Sequence, residues 1–114
     1  MSSLPDGKHM LSNVQWRRQE RDEGLRPLRG FTTGTLRVNG STARLTARFT
    51  DQNLSNRFSD LEEDGKRVLL HIMLLGTDEV YEWPAGVPSL ERSGACYVLR
   101  VQGQTDDARP VHAA

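Results

Sequence analysis

The chain is poor in cysteine and in aromatic residues: Cys96 is the only cysteine among 114 residues, and Phe, Trp and Tyr together make up 6%. A lone cysteine excludes an intrachain disulfide and a Cys-x-x-Cys zinc knuckle, and it fits a reducing compartment. Long apolar runs are missing too. The longest, Val68 to Leu75, is interrupted by His71 and falls far short of the ~20 residues a membrane-spanning helix needs. The N-terminus, Met1-Ser2-Ser3-Leu4-Pro5-Asp6, lacks the basic region and apolar run of a secretory signal. A cytoplasmic protein with no membrane association is expected.

Catalytic motifs are absent as well. The sequence contains no Gly-x-Ser-x-Gly, no Gly-rich loop ending in Gly-Lys-Ser/Thr, no Gly-x-Gly-x-x-Gly and no His-x-x-x-His pair. His9, His71 and His112 lie in separate segments, so no metal and no cofactor is expected. Cys96 and His71 fall on two expected core strands and would allow a thiolate-imidazole pair. Their simpler reading is a small buried apolar residue and a hydrogen-bonded core histidine. Asp60, Glu62, Glu63 and Asp64 read as the solvated acidic end of a helix. No catalytic residue is assigned, and the chain is expected not to be an enzyme.

Charge is present in quantity and is segregated. Fifteen basic residues balance fifteen acidic ones, and all the basic residues except Lys8 and Lys66 are arginine. From Trp16 to Thr50 eight arginines face three acids, a balance of +5; from Asp51 to Glu91 nine acids face three bases, a balance of −6. Such polarity steers partners without naming them. Arginine suits planar contacts to phosphate and carboxylate, although a GC-rich genome gives the same bias.

The strongest local signal is Asn39-Gly40, which predicts a β-hairpin over residues 33–49 with a two-residue turn at that dipeptide. That hairpin places Leu36, Val38, Ala43, Leu45, Ala47 and Phe49 on one side. Arg37, Arg44 and Arg48 lie on the other with Thr33, Thr35, Thr42 and Thr46. With Asn39-Gly40 as the loop, Val38 faces Ser41, Leu36 faces Ala43 and Gly34 faces Leu45.

Elsewhere the patterns are shorter. Residues 10–23 allow strand or helix, and a strand over Leu11 to Arg17 is preferred. Gly24 to Gly30 reads as a loop around Pro27. Leu54, Phe58 and Leu61 predict a helix within residues 51–64, capped by Thr50 or Asp51 and stopped by Gly65. Val68 to Leu75 reads as a central strand covered on both faces, followed after Gly76-Thr77-Asp78 by Glu79 to Trp83. Pro84 to Arg92 reads as a loop with room for one helical turn near Pro88, and Ala95 to Gln102 as the last strand. The expected architecture is mainly β with one short helix: about five strands in a small antiparallel barrel or strongly bent sheet, with a two-layer α+β sheet as the alternative. Residues 10–102 form a single β-rich domain in this reading, between flexible tails at 1–9 and 103–114.

Arg17-Arg18-x-x-Arg21, followed some thirty residues later by Asn53-Leu54-Ser55, resembles the two signatures of PilZ domains: an Arg-x-x-x-Arg segment ahead of a six-stranded barrel, and an Asp/Asn-x-Ser-x-x-Gly segment after the second strand. Phe58 stands where the second signature has glycine. The resemblance implies a bacterial cyclic di-GMP sensor, with Arg17, Arg18, Arg21, Asn53 and Ser55 at the ligand.

Taken without the resemblance, the residues point first to a non-enzymatic module that binds a protein partner, such as an adaptor, inhibitor or immunity-type protein, through Arg37, Arg44 and Arg48. The resemblance makes cyclic di-GMP, an anionic nucleotide, the alternative ligand. Single-stranded nucleic acid ranks third, because the basic face lacks the aromatic side chains on which bases stack.

Overall fold

Apolar and polar residues alternate from Thr33 to Phe49, and they fold as the hairpin β3 (Thr33–Asn39) and β4 (Thr42–Phe49) in the computed structural model, which describes residues 4–77 and 79–111. The inward set is the expected one, and all six of its side chains are buried. The pairing differs. Asn39 faces Thr42, Val38 faces Ala43 and Leu36 faces Leu45, so Gly40-Ser41, not Asn39-Gly40, forms the loop. Moving the loop by one residue changes each partner by two positions, which keeps every side chain on its face. The apolar pattern therefore fits both registers equally, and the turn has to choose between them.

Gly40 alone near the turn takes a positive φ, +63°, which suits a glycine-first type II′ loop and leaves Asn39 extended in the strand. Three contacts hold it there. The Asp6 carboxylate accepts the Gly40 amide at 3.2 Å, the Thr105 hydroxyl donates to the Gly40 carbonyl at 2.9 Å, and the Thr105 amide donates to the Ser41 carbonyl at 2.9 Å.

Of residues 10–23, those up to Arg18 resolve as strand and 19–23 as a turn and loop. β1 (Gly7–Arg18) pairs through Gly7–Met10 with β3 and through Leu11–Arg18 with β5 (Val68–Leu74), with the register shifting between Leu11 and Asn13. A bulge at this changeover bends the strand and turns one half of the sheet toward the other. A two-residue strand, β2 (Arg26–Pro27), pairs with β1 at Gln15 and Trp16 inside the expected loop. β6 (Val80–Pro84) follows β5.

Three expectations are corrected beyond this point. Residues 89–93 form β7 (Ser89–Ser93) against β8 (Cys96–Gln104), where a loop or helical turn was predicted. β8 is not the last strand, because β9 (Arg109–Val111) pairs with β6. Residues 7–9 and 103–111 are not tails: the first belong to β1, and the second continue β8, make a turn at Thr105–Asp107 and add β9. Short polar segments such as these carry no periodicity of their own and are ordered by the sheet edges they pair with.

Among the described residues the strands follow the order β7-β8-β4-β3-β1-β5-β6-β9, with β2 beside β1. The chain is mainly β with one helix, and the antiparallel sheet is strongly curved but not closed into a barrel. Val14, Trp16, Leu70, Ile72 and Trp83 from one half meet Leu36, Leu45, Leu99 and Val101 from the other in a single core. Packing is tight where β6 approaches β8: a Cβ added at Gly103 would lie 2.8 Å from the Trp83 ring, whose indole donates to the Gln104 carbonyl at 3.0 Å.

The helix α1 (Gln52–Asp64) forms where the i, i+4, i+7 spacing predicts it. Asp51 is the N-cap, accepting the Leu54 amide at 2.8 Å, and Gly65 ends the helix in the left-handed conformation at φ 66°. Its buried stripe sets Phe58 against Trp16 and Phe49, with ring centroids 4.7 and 5.9 Å away. No helix among the described residues is long and apolar enough to cross a membrane.

Candidate functional site

Strand alternation at the end of β1 turns Trp16 toward α1 and Arg17 away from it. Trp16 then sits between β2 and the helix, and two adjoining hollows open around it. The larger, about 450 Å³, is lined by Trp16, Arg26, Pro27, Arg29, Asp51, Asn53, Leu54 and Arg57. The smaller, about 240 Å³, shares Trp16, Arg26 and Arg57 and adds Arg18, Arg21, Glu23, Asp60, Leu61 and Asp64. Together they form a cleft between the β1–β2 segment and one face of α1. Asn53, Arg57, Asp60 and Asp64 recur at helical spacing on that face, beside the buried Leu54, Phe58 and Leu61.

The two hollows differ in charge. In the larger one, three arginines (Arg26, Arg29, Arg57) meet one acid, Asp51, which is already engaged as the N-cap. The first turn of α1 contributes no acidic residue, so its amide dipoles add to the positive potential. In the smaller one, four arginines face Glu23, Asp60 and Asp64. Arg18 pairs with Glu20, and Arg26 lies 3.9 Å from Glu23. Arg21, Arg29 and Arg57 form no ion pair with a described residue. The Arg57 guanidinium instead lies 6.0 Å from the centroid of the Trp16 ring, within cation–π range.

Trp16 is 4% exposed, and its Nε1–H has no hydrogen-bond partner among the described residues. Burying an indole N–H without a partner generally costs about 1–3 kcal/mol.

The five residues of the PilZ-like signatures divide. Arg18 and Arg21 line the smaller hollow and Asn53 the larger. Arg17 lines neither: its guanidinium donates to the carbonyls of Arg18 at 3.0 Å and Arg21 at 2.5 Å, clamping the turn that follows β1. Ser55 is buried, and its hydroxyl donates to the Gln52 carbonyl at 2.6 Å. Asn53 and Ser55 both lie in α1. Trp16, Arg26, Arg29 and Arg57 were not selected from the sequence. Arg57 was the accessible one, four residues after Asn53 on the same helix face; Arg26 and Arg29 sat in a segment read only as loop.

The other candidates lie elsewhere. Arg37 and Arg44 are direct cross-strand partners on the outer face of the hairpin, and Arg48 lies farther along β4; all three are exposed. His71 is bonded to Glu82 at 3.2 Å on β5 and β6. Cys96 is half-buried on β8, with three strands between it and β5 in the sheet. Glu62 accepts the Leu90 amide at 3.0 Å and so braces α1 against β7. Among the described residues no group of three or more His, Cys, Asp or Glu is placed to hold a metal, and His112 lies outside them.

No protein-family model matches the chain, and no curated protein or solved structure matches it either.

Proposed function

We propose that this chain is a non-enzymatic binding module whose Trp16 cleft takes a planar, anionic ligand of the nucleotide class. The observation that carries this reading is the convergence on Trp16 of five arginines from three separate segments: Arg18 and Arg21, Arg26 and Arg29, and Arg57. Guanidinium groups offer paired donors to phosphate and flat faces to a base. The larger hollow, with its surplus of positive charge and the N-terminus of α1 beside it, is the phosphate end of the site. The Arg57 guanidinium, lying over the buried Trp16 ring, supplies the flat wall. The PilZ resemblance makes cyclic di-GMP the first ligand to try, with Arg18, Arg21 and Asn53 as the signature residues that border the cleft.

Calorimetry tests this with two ligands, cyclic di-GMP and inorganic pyrophosphate. The expected result is a saturable heat with at least one of them at ligand concentrations of about 100 µM, where micromolar affinity is evident. Replacing Arg29 and Arg57 together by alanine should weaken it at least tenfold. Absence of heat with both ligands removes the reading.

A further inference from the structure

The outer face of the hairpin sheet carries a feature that folding would be expected to avoid. Lys8 of β1 is the direct partner of Arg37 of β3, and Arg37 is the direct partner of Arg44 of β4. Three cations thus stand in one cross-strand row, all exposed, and none forms an ion pair with a described residue. The row continues to Gln102 of β8, not to an acid. Like charges directly opposite one another weaken a sheet. Two acids at the borders of this face are engaged: Glu91 pairs with Arg100, and Asp6 accepts the Gly40 amide. The row lies near the Gly40 turn, whereas the Trp16 cleft lies beside Asp51, past the other end of β4.

From this we infer a second binding surface, on which the Lys8–Arg37–Arg44 row docks an acidic helix of a protein partner. Spacing selects the helix. Neighbouring strands are ~4.8 Å apart, so the three cations repeat at that interval across the sheet. Carboxylates three or four residues apart on a helix repeat at ~5–6 Å. A helix laid across the strands therefore brings successive carboxylates over successive cations for about two turns. Thr35 and Thr46, the next cross-strand pair along the hairpin, add hydroxyl donors beside the row. The cross-strand rows through Arg37 and Thr35 contain no aromatic side chain, so the surface lacks the platform on which single-stranded nucleic acid stacks its bases. This surface and its test are independent of the Trp16 cleft.

Fluorescence anisotropy with four labelled probes tests the inference: a 21-residue alanine-based helical peptide with glutamate at i, i+4 spacing, the same peptide with glutamine, a 20-nucleotide oligo-dT and a 20-base-pair duplex. The whole chain should bind the glutamate peptide at least tenfold more tightly than the glutamine peptide and more tightly than either DNA. R37E/R44E should lose at least tenfold of that affinity, and the milder R37Q/R44Q should lose part of it, while neither melts below the parent. R29A/R57A, which alters the cleft alone, should bind the peptide as the parent does. Equal affinity for both peptides, tighter binding of either DNA, or undiminished peptide binding by R37Q/R44Q would overturn the proposal.

Discussion

The molecule carries two arginine-bearing surfaces, and they handle their charge in opposite ways. At the Trp16 cleft the basic first half of the chain meets the acidic second half: Asp60 and Asp64 of α1 border the same hollow as Arg18 and Arg21, and Arg57 lies over an aromatic ring. On the hairpin face Lys8, Arg37 and Arg44 stand in register with no acid among them. The segregation visible along the sequence is therefore undone by folding in one place and kept in the other. A ligand of the mixed-charge cleft would be selected by shape as well as charge, whereas one of the uncompensated row would be selected by charge and spacing.

Removing the wedge beneath the cleft should break the comparison most severely. Phe58 is fully buried between Trp16 and Phe49, so Phe58→Ala should cost about 3–5 kcal/mol. Denaturant titration gives that loss, and at temperatures where the variant remains folded the cleft should fail to bind while the hairpin row still binds the acidic peptide. Asp51→Ala should act more gently and in two directions. Losing the cap to the Leu54 amide should cost about 1 kcal/mol of stability, yet removing the one acid from the larger hollow should tighten anion binding. Thermal melting and calorimetry on the same variant separate the two effects.

A charge reversal on the hairpin should do the unusual thing and stabilise. Arg37→Glu puts a carboxylate between Lys8 and Arg44, and each new opposite-charge pair should add about 0.2–1 kcal/mol. Chemical denaturation at low salt should show the gain, and a loss of stability would mean that the row is not repulsive. Tyr81 lies on neither surface and serves as the control, with no effect on binding at either one. Burial, reinforced by its hydrogen bond and charge interaction with Glu79, pushes the phenol up to about 12 from an ordinary 10.0. The folded state thus holds this proton more tightly than the unfolded chain does. Its contribution is complete below pH 10 and declines as pH rises from about 10 to 12, so Tyr81→Phe should flatten the stability profile in that window alone.

How much was legible in the sequence follows the range of the interactions. The faces of the hairpin and the span of α1 were readable because each is set by a local period, and Asp51 and Gly65 mark the helix ends by their own chemistry. The hairpin register was not, since pairing Leu36 with Ala43 or with Leu45 buries the same side chains. The choice belongs to Asp6 and Thr105, which reach the Gly40-Ser41 turn from distant parts of the chain. β2, β7 and β9 are short and are held by neighbours, so no pattern announces them. The lining of the cleft was legible in part for the same reason. Arg18, Arg21 and Asn53 do reach the cleft, but Arg17 and Ser55 are drawn into backbone hydrogen bonds that their spacing cannot reveal. Trp16 looked like an ordinary strand residue until α1 packed over it.

The two tryptophans provide the most direct test of the cleft. Trp16 borders it, while Trp83 is fully buried with its indole bonded to the Gln104 carbonyl. In a ¹⁵N-labelled sample the two indole N–H resonances can be followed together as cyclic di-GMP, and separately pyrophosphate, is added. The Trp16 resonance should move in a saturable way with at least one of them while that of Trp83 stays in place. A stationary Trp16 indole across both titrations, or equal movement of the two, would contradict a ligand site at Trp16.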